Sequence, residues 1–142
     1  MAILKPEDLM VGDWFRFRYK DFPLNNEVVL TFRIERINDE IGYVWSKDGR
    51  ICKPERLEPI PLTPEILEKN GFEKYEQGGE WVDMWMAFGE GGEYDIEVEF
   101  RNSGMIRTKV DGPTYLNTCD IKYLHQLQHC LRIVGIDKEI IL

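Results

Sequence analysis

The segment from Glu58 to Phe72, with three prolines in its first seven residues, constrains the fold more than any other part of the sequence. Thr63 is typical of a helix N-cap, and the proline after it suits the first helical position. Gly71 suits the left-handed residue that follows a helix. The segment therefore predicts a helix of about two turns at a divide between two parts, residues 1–60 and 61–142.

The first part has the pattern of antiparallel β-strands. Every second residue from Phe15 to Tyr19 is aromatic and the residues between them are basic. We therefore expect one face of this strand to pack in the core and the other to face solvent. Strands follow at 27–37 and 41–46, and Asp48-Gly49 predicts a tight hairpin turn. Three or four strands in about 55 residues predict a small, partly closed SH3-like barrel.

The second part resumes as strands separated by turns, which predicts an antiparallel meander. The predicted strands are 73–77, 81–88, 94–100 and 105–110, and the turns are 78–79, 89–92 and 102–104. A last helix is predicted from Thr118 or Asp120 to Val134, with Gly135 ending it and an apolar face covering the meander. The predicted fold class is α+β.

The charge of the chain is concentrated in one stretch. The protein has 142 residues and a formal net charge of −8, and nine acids but one base lie between Phe72 and Phe100. The rest of the chain is neutral. Since non-specific nucleic-acid binding needs clustered Lys and Arg, we expect none.

Targeting signals and cysteine motifs are missing from the sequence. The first residues lack a basic region followed by an apolar run, and no stretch approaches the roughly 18 apolar residues of a membrane span. We therefore expect a cytoplasmic protein that does not bind membranes. Cys52, Cys119 and Cys130 lack Cys-x-x-Cys spacing, which indicates reduced thiols, and we expect no cofactor.

Three motifs carry a resemblance: Ile60-Pro-Leu-Thr-Pro-Glu-Ile-Leu at the divide, Asn70-Gly-Phe-Glu-Lys74 after it, and Tyr123-Leu-His-Gln-Leu-Gln128 in the last helix. With them the chain resembles, over nearly its whole length, a family of short uncharacterised proteins from gut anaerobic bacteria and their phages or mobile elements. The resemblance implies no activity, cofactor or catalytic residue. Asn commonly stands in the family pattern where this chain has His129.

His125 and His129 are candidate metal ligands, because a spacing of four residues brings two imidazoles to one turn of a helix. The residues between them lack the glutamate of the His-Glu-x-x-His arrangement. On the predicted helix the pair lies opposite the apolar face, beside two basic residues that disfavour a cation. We interpret both as solvated or surface-bonded histidines. A metal site would need a third ligand such as Asp120 or Cys119.

Asp95, Glu97 and Glu99 form a candidate interaction surface, which we call the acidic stripe. Their alternation with apolar residues places them on one face of a strand, and that pattern alone predicts a solvated face. Successive carboxylates lie about 6.5 to 7 Å apart, too far for one cation to be held by all three. A basic partner protein, or the basic residues between Arg16 and Lys20, could contact the stripe.

No residue pattern predicts a catalytic site, which disfavours an enzyme. The leading hypothesis is a non-enzymatic accessory or adaptor protein of a bacterial or phage mobile element that acts through contacts with an unknown protein partner. One alternative is a metal-dependent hydrolase that uses the histidine pair. Another is an acidic mimic of DNA, which requires an extended row of exposed carboxylates. The sequence leaves the oligomeric state open.

Overall fold

A computed structural model describes residues 4–5, 8–75, 81–88, 95–101, 106–111, 116–119, 121–133, 135–136 and 138–142. The chain forms two compact units, Met1–Ile60 and Pro61–Leu142, which we call the N-terminal and C-terminal units. Antiparallel strands and two α-helices make up the described elements, so the fold is α+β, as predicted. None of the helices in the described ranges is long and apolar enough to cross a membrane.

The N-terminal unit is a five-stranded antiparallel sheet. Its strands are β1 (Trp14–Lys20), β2 (Glu27–Asn38), β3 (Tyr43–Ser46), β4 (Ile51–Cys52) and β5 (Leu57–Pro59). They pair in the order β4-β3-β2-β1-β5, and a 3₁₀ turn, Pro54–Arg56, connects β4 to β5. Since β4 and β5 are the two edges of this order, the sheet is open and not a closed barrel.

Apolar side chains on one face of this sheet form its core. The buried members of this core are Leu9, Phe15, Phe32, Ile34, Val44, Cys52 and Leu57. Phe15 lies opposite Phe32 in the β1–β2 ladder, so the two rings share the buried face. Removing each large side chain from water contributes about 1.5–3 kcal/mol. The predicted alternation of β1 therefore places Phe15 in the core correctly, but Tyr19, predicted on the same core face, is exposed.

A β-bulge interrupts the pairing of β2 with β3. Ile34 lies opposite Ser46 and Arg36 lies opposite Trp45, which leaves Glu35 as an extra residue in the ladder. Beyond the bulge Ile37 packs against the same core as Ile34, although the two are an odd number of residues apart. The bulge therefore resets which side chains of β2 face inward.

The C-terminal unit contains a second five-stranded antiparallel sheet and both α-helices. The strands are β6 (Glu73–Tyr75), β7 (Trp81–Phe88), β8 (Asp95–Arg101), β9 (Ile106–Asp111) and β10 (Leu116–Cys119), in the order β10-β9-β8-β7-β6. The helices are α1 (Pro64–Lys69) and α2 (Leu124–Ile133). The predicted turns at 78–79, 89–92 and 102–104 lie outside the described residues.

The capping residues of α1 are those that the sequence predicts. The Thr63 hydroxyl accepts a hydrogen bond from the Ile66 amide at 3.3 Å. At the other end Gly71 has a φ of 76°, and the Phe72 amide bonds the Leu67 carbonyl at 3.0 Å. This is the Schellman arrangement that glycine favours, since a side chain at that position would be strained.

The predicted start of α2 is wrong. Thr118 lies in strand β10, and the helix begins at Leu124. The Gln126 side chain accepts hydrogen bonds from the Lys122 and Tyr123 amides at 3.0 and 3.1 Å, which satisfies two donors at the helix start. A glutamine inside the first turn therefore does the capping that we assigned to Thr118 or Asp120.

The last residues dock onto the end of α1 through Asn70. Its side-chain amide donates to the Ile141 carbonyl at 2.9 Å, and its side-chain oxygen accepts from the Ile141 amide at 2.7 Å. The Lys138 ammonium donates to the Asn70 carbonyl at 2.8 Å. Ile140, the residue before Ile141, is buried, so these last residues are part of the core of the C-terminal unit.

Candidate functional site

The acidic stripe is not a solvated face. Glu99 is only 2% exposed and Glu97 is half-buried, while the side chain of Asp95 lies outside the described part of the structure. The prediction that the carboxylates face solvent is therefore wrong for Glu99. Val98 and Glu99 are both buried, so β8 is covered on both faces at this point, which alternation along one strand cannot reveal.

Basic residues stand opposite two members of the acidic stripe in the sheet. The β8–β9 ladder places Glu97 opposite Lys109 and Glu99 opposite Arg107. The register therefore sets an acidic residue across from a basic one at two positions of this sheet. An acidic mimic of DNA needs exposed carboxylates, and the burial of Glu99 argues against that alternative.

His125 and His129 are neighbours, but they are not a solvated pair. Their ring centroids lie 5.8 Å apart with an edge-on angle of 80°, and the His125 ring stacks on Tyr123 at 6.1 Å. His125 is 7% exposed and His129 is half-buried. The prediction of solvent exposure is wrong for His125 because α2 is buried on more than its apolar face, as the burial of Gln128 also shows.

The histidine pair lacks a third ligand in the described part of the chain. Within those residues no group of three His, Cys, Asp or Glu side chains is placed to hold a metal ion. Asp120 and the side chain of Cys119, the predicted further ligands, lie outside it. Structural and catalytic zinc sites use at least three protein ligands, so the geometry gives the hydrolase alternative no support.

The described cysteines have no feature of a reactive nucleophile. Cys52 is a buried free thiol in β4, and burial raises the pKa of this thiol to about 11. It is therefore protonated at neutral pH, and the thiolate is the reactive form. Cys130 is a half-buried thiol on α2 that is not in a disulfide. Both have the character of small apolar side chains.

The turn between β1 and β2 presents two large apolar side chains to solvent. Phe22 is 96% exposed and Leu24 is 73% exposed, and we call this pair the apolar tip. Two hydrogen bonds tie the ends of the turn together, from the Asp21 amide to the Asn26 carbonyl at 2.9 Å and from the Asn26 amide to the Asp21 carboxylate at 2.8 Å. The side chains are thus displayed from an ordered turn.

Two strand residues near the apolar tip are also exposed, one on each face of the hairpin. Tyr19 and Val29 are exposed, one from each strand of the hairpin. The sequence identifies residues 21–26 as a loop but does not show that this loop bears exposed apolar groups. The available signal is the presence of Phe and Leu in a turn, where polar residues are the norm.

The charged residues behind the tip are paired. Arg18 donates to Glu27 and, at 3.0 Å, to Glu58, so one guanidinium serves two carboxylates across three strands. Hydrogen bonding from Arg18 lowers the pKa of the Glu58 carboxyl, and the same bonds raise the pKa of Arg18. These pairs are exposed to solvent, so they orient the surface and stabilise it only weakly.

Comparison of the chain with protein-family models, with curated proteins and with solved structures gave no match.

Proposed function

We propose that this protein is a non-enzymatic accessory or adaptor protein that binds a partner protein through the apolar tip. The observation that carries the proposal is the exposure of Phe22 and Leu24 on a turn that its own hydrogen bonds hold in place. Exposed apolar groups that cluster on one surface are typical of protein-interaction sites.

The energetics of the tip favour an anchoring role. Burying a Phe or Leu side chain in a partner contributes about 1.5–3 kcal/mol each. Ordering a flexible loop on binding costs free energy, and a turn that is already ordered by bonds from Asp21 avoids part of that cost. A few such anchors commonly supply most of the affinity of an interface. The fitting partner is a protein with an apolar pocket.

We infer that the open sheet carrying the tip is a small, partly closed barrel of the SH3-like type. The strand order β4-β3-β2-β1-β5 and the 3₁₀ turn before β5 support this inference. Folds of this type host many unrelated functions, so the argument for binding depends on the tip and not on the fold.

We also propose that the protein acts in a bacterial or phage mobile element. The support is the resemblance through the motifs at the divide and in the last helix. Thr63 and Gln126, which lie in those motifs, cap α1 and α2. Because these motif residues maintain the fold, the motifs carry no implication for catalysis, which agrees with an adaptor role.

The decisive experiment removes the tip and leaves the fold intact. Wild type, a Phe22→Ser/Leu24→Ser double variant and an Ile51→Ser control would each be used for pull-down with crosslinking from the native host. Ile51 is exposed in the same unit, so the control tests a similar loss of apolar surface elsewhere. The partner identified with wild type would then be purified and its affinity measured by calorimetry.

We expect the double variant to bind the partner at least about tenfold more weakly, which corresponds to about 1.4 kcal/mol, while the control binds as wild type does. Unchanged circular dichroism and Tm in the double variant would show that folding is not the cause. Equal affinity in all three proteins would reject the tip as the binding surface. Capture of no partner by wild type would count against the adaptor role itself.

A further inference from the structure

A cavity of about 450 Å³ lies between β1, β2 and the β3–β4 turn of the N-terminal unit. Its lining residues are Trp14, Thr31, Arg33, Ser46, Lys47 and Asp48. The volume falls within the range of about 300–1,000 Å³ that is usual for small-molecule sites. The lining combines an aromatic ring, two cationic side chains and two hydroxyls, and the apolar tip does not contribute to it.

Strand register brings the first three of these residues together. Trp14 lies opposite Arg33 in the β1–β2 ladder, and Thr31 is two residues from Arg33 on the same face of β2. The Arg33 guanidinium lies 5.8 Å from the centre of the Trp14 ring, within cation–π distance. The cavity therefore has one wall in which the sheet holds a guanidinium over an indole ring.

The β3–β4 turn supplies the other wall and is held by its own hydrogen bonds. The Ser46 hydroxyl donates to the Asp48 carboxylate and accepts from the Arg50 amide at 3.0 Å. Gly49 follows with a φ of 87°, and its amide bonds the Ser46 carbonyl at 3.1 Å. The turn conformation, and with it the backbone position of Lys47, is thus held in place.

The charge balance of the cavity favours an anion. Asp48 is bonded to Ser46 and lies 2.9 Å from the Arg50 guanidinium, so its negative charge is compensated. Its lowered pKa, caused chiefly by the bond from Ser46, agrees with this. Lys47 is exposed and forms no ion pair with any residue that the structure describes. One ammonium at the cavity is therefore available to a ligand.

From this arrangement we propose that the cavity binds a nucleotide unit, with the base against Trp14 and the phosphate on Lys47. Bases stack on aromatic side chains whatever their identity, and ammonium groups are standard phosphate donors. The Thr31 hydroxyl can add a hydrogen bond to the phosphate, whereas the Ser46 hydroxyl already donates its proton to Asp48. The strong net negative charge of the chain disfavours contact with many phosphates, so the site suits a single unit. That unit could be a free mononucleotide or one residue of a single strand.

The test measures binding of adenosine 5′-monophosphate and uridine 5′-monophosphate to the full chain by calorimetry at low salt. Inorganic phosphate and adenosine are also measured, because each contains only one part of the mononucleotide. A short single-stranded oligoadenylate tests whether the bound unit belongs to a nucleic-acid strand or to a free nucleotide. The variants are Lys47→Ala and Trp14→Phe. Lys53→Ala is the matched control, because Lys53 is an exposed lysine of the same unit that lies 6.0 Å from the Tyr43 ring and does not line the cavity.

We expect each mononucleotide to bind at least about tenfold more tightly than phosphate or adenosine, and Lys47→Ala to lose at least about tenfold in affinity while Lys53→Ala loses none. Trp14→Phe retains a smaller ring and should weaken mononucleotide binding without changing phosphate binding. Tighter binding of the oligoadenylate would assign the unit to a nucleic-acid strand, and weaker binding would assign it to a free nucleotide.

Three results would overturn the proposal. One is binding of no mononucleotide and no oligoadenylate. Another is binding that Lys47→Ala and Lys53→Ala weaken equally, since the affinity would then come from general charge. Phosphate binding as tight as mononucleotide binding would likewise remove the role of Trp14. None of these results bears on the apolar tip, so the adaptor proposal would stand or fall separately.

Discussion

The two units use buried polar residues differently. In the N-terminal unit the buried polar side chains Asp13 and Ser46 fix turns, where they accept hydrogen bonds from the Met10 and Arg50 amides at 2.9 and 3.0 Å. In the C-terminal unit buried polar side chains lie within strands, within a helix and at a helix end. These are Asn70, Glu99, Thr108, His125 and Gln128.

This difference shows what a polarity pattern can and cannot reveal. The alternation of polar and apolar residues gives the face of the strand on which a side chain lies. In the N-terminal sheet the face is a good guide to burial, because one face packs in the core and the other is largely exposed to solvent. In the C-terminal unit adjacent residues such as Val98 and Glu99, or Leu124 and His125, are buried together. Polar residues there are part of the interior, and their removal should cost more.

The largest expected effect is the loss of an aromatic ring from the N-terminal core. We expect Phe32→Ala to lower the free energy of unfolding by about 3–5 kcal/mol, because it removes a fully buried ring and leaves a cavity. Urea denaturation followed by fluorescence measures this value. The neighbouring exposed Thr31→Ala should stay within about 0.5 kcal/mol of wild type. A similar cost for both variants would show that this sheet does not have one buried face.

The next largest effect concerns a buried polar residue of the C-terminal unit, Asn70, whose side-chain amide holds the last residues of the chain in place. We expect Asn70→Ala to cost about 1–3 kcal/mol, since the Ile141 amide and carbonyl lose their partners. Hydrogen exchange should show faster exchange of the Ile141 amide.

Asn38→Ala is the matched control for this substitution. The Asn38 side chain also accepts from two backbone amides, those of Glu40 and Ile41, but in an exposed turn. We expect it to cost less than about 1 kcal/mol, because water replaces the lost bonds. If Asn38→Ala were the more damaging variant, the contrast between the units would be wrong.

A third test compares two adjacent members of the acidic stripe. We expect Glu99→Ala to destabilise by about 1–3 kcal/mol, because the Glu99 side chain is almost fully buried and its loss leaves a cavity in the packing around it. Glu97→Ala, at a half-buried position, should cost about 0.5 kcal/mol or less. Thermal and urea unfolding would measure both. Equal effects would mean that the stripe behaves as a surface feature after all.

The smallest effect concerns the exposed ion pair of the N-terminal unit. Bonding to Arg18 lowers the pKa of Glu58 in the folded protein, so ionised Glu58 stabilises the fold above its ordinary pKa of 4.5. This contribution is lost as the pH falls through the lower, folded value. Glu58→Gln should therefore be slightly less stable than wild type at pH 7, and the difference should disappear in acid.

Salt provides the check on the Glu58 prediction. Exposed ion pairs are screened, so raising the ionic strength should reduce the difference between wild type and Glu58→Gln at pH 7. A difference that grew in acid, or one that did not respond to salt, would contradict an ion-pair origin.

Much of the fold was predictable where local chemistry decides it. The bounds of β7, Trp81–Phe88, match the prediction, and Thr63 and Gly71 cap α1 as expected. The strands β5 and β10 were missed because they are short, and β5 also forms only when pairing brings distant segments together. β5, for example, exists because Phe15 and Phe17 of β1 lie beside it.

The candidate sites were less predictable than the fold. Burial of Glu99 and His125 depends on what packs on both faces of an element, which one segment cannot specify. The cavity depends on the register that sets Trp14 beside Arg33, and on the turn that brings Lys47 to the same place. The high exposure of Phe22 is likewise a property of the folded turn and not of its composition.

Because of its bulge, β2 can lose one residue without changing which of its side chains face the core. Glu35 has no opposing residue in β3, so its deletion would leave Ile34 opposite Ser46 and Ile37 opposite Val44, with both isoleucines still facing the core. Deletion of Thr31 instead would shift the following residues by one and turn them to the other face. Insertions and deletions in natural variants of this strand should therefore concentrate at the bulge.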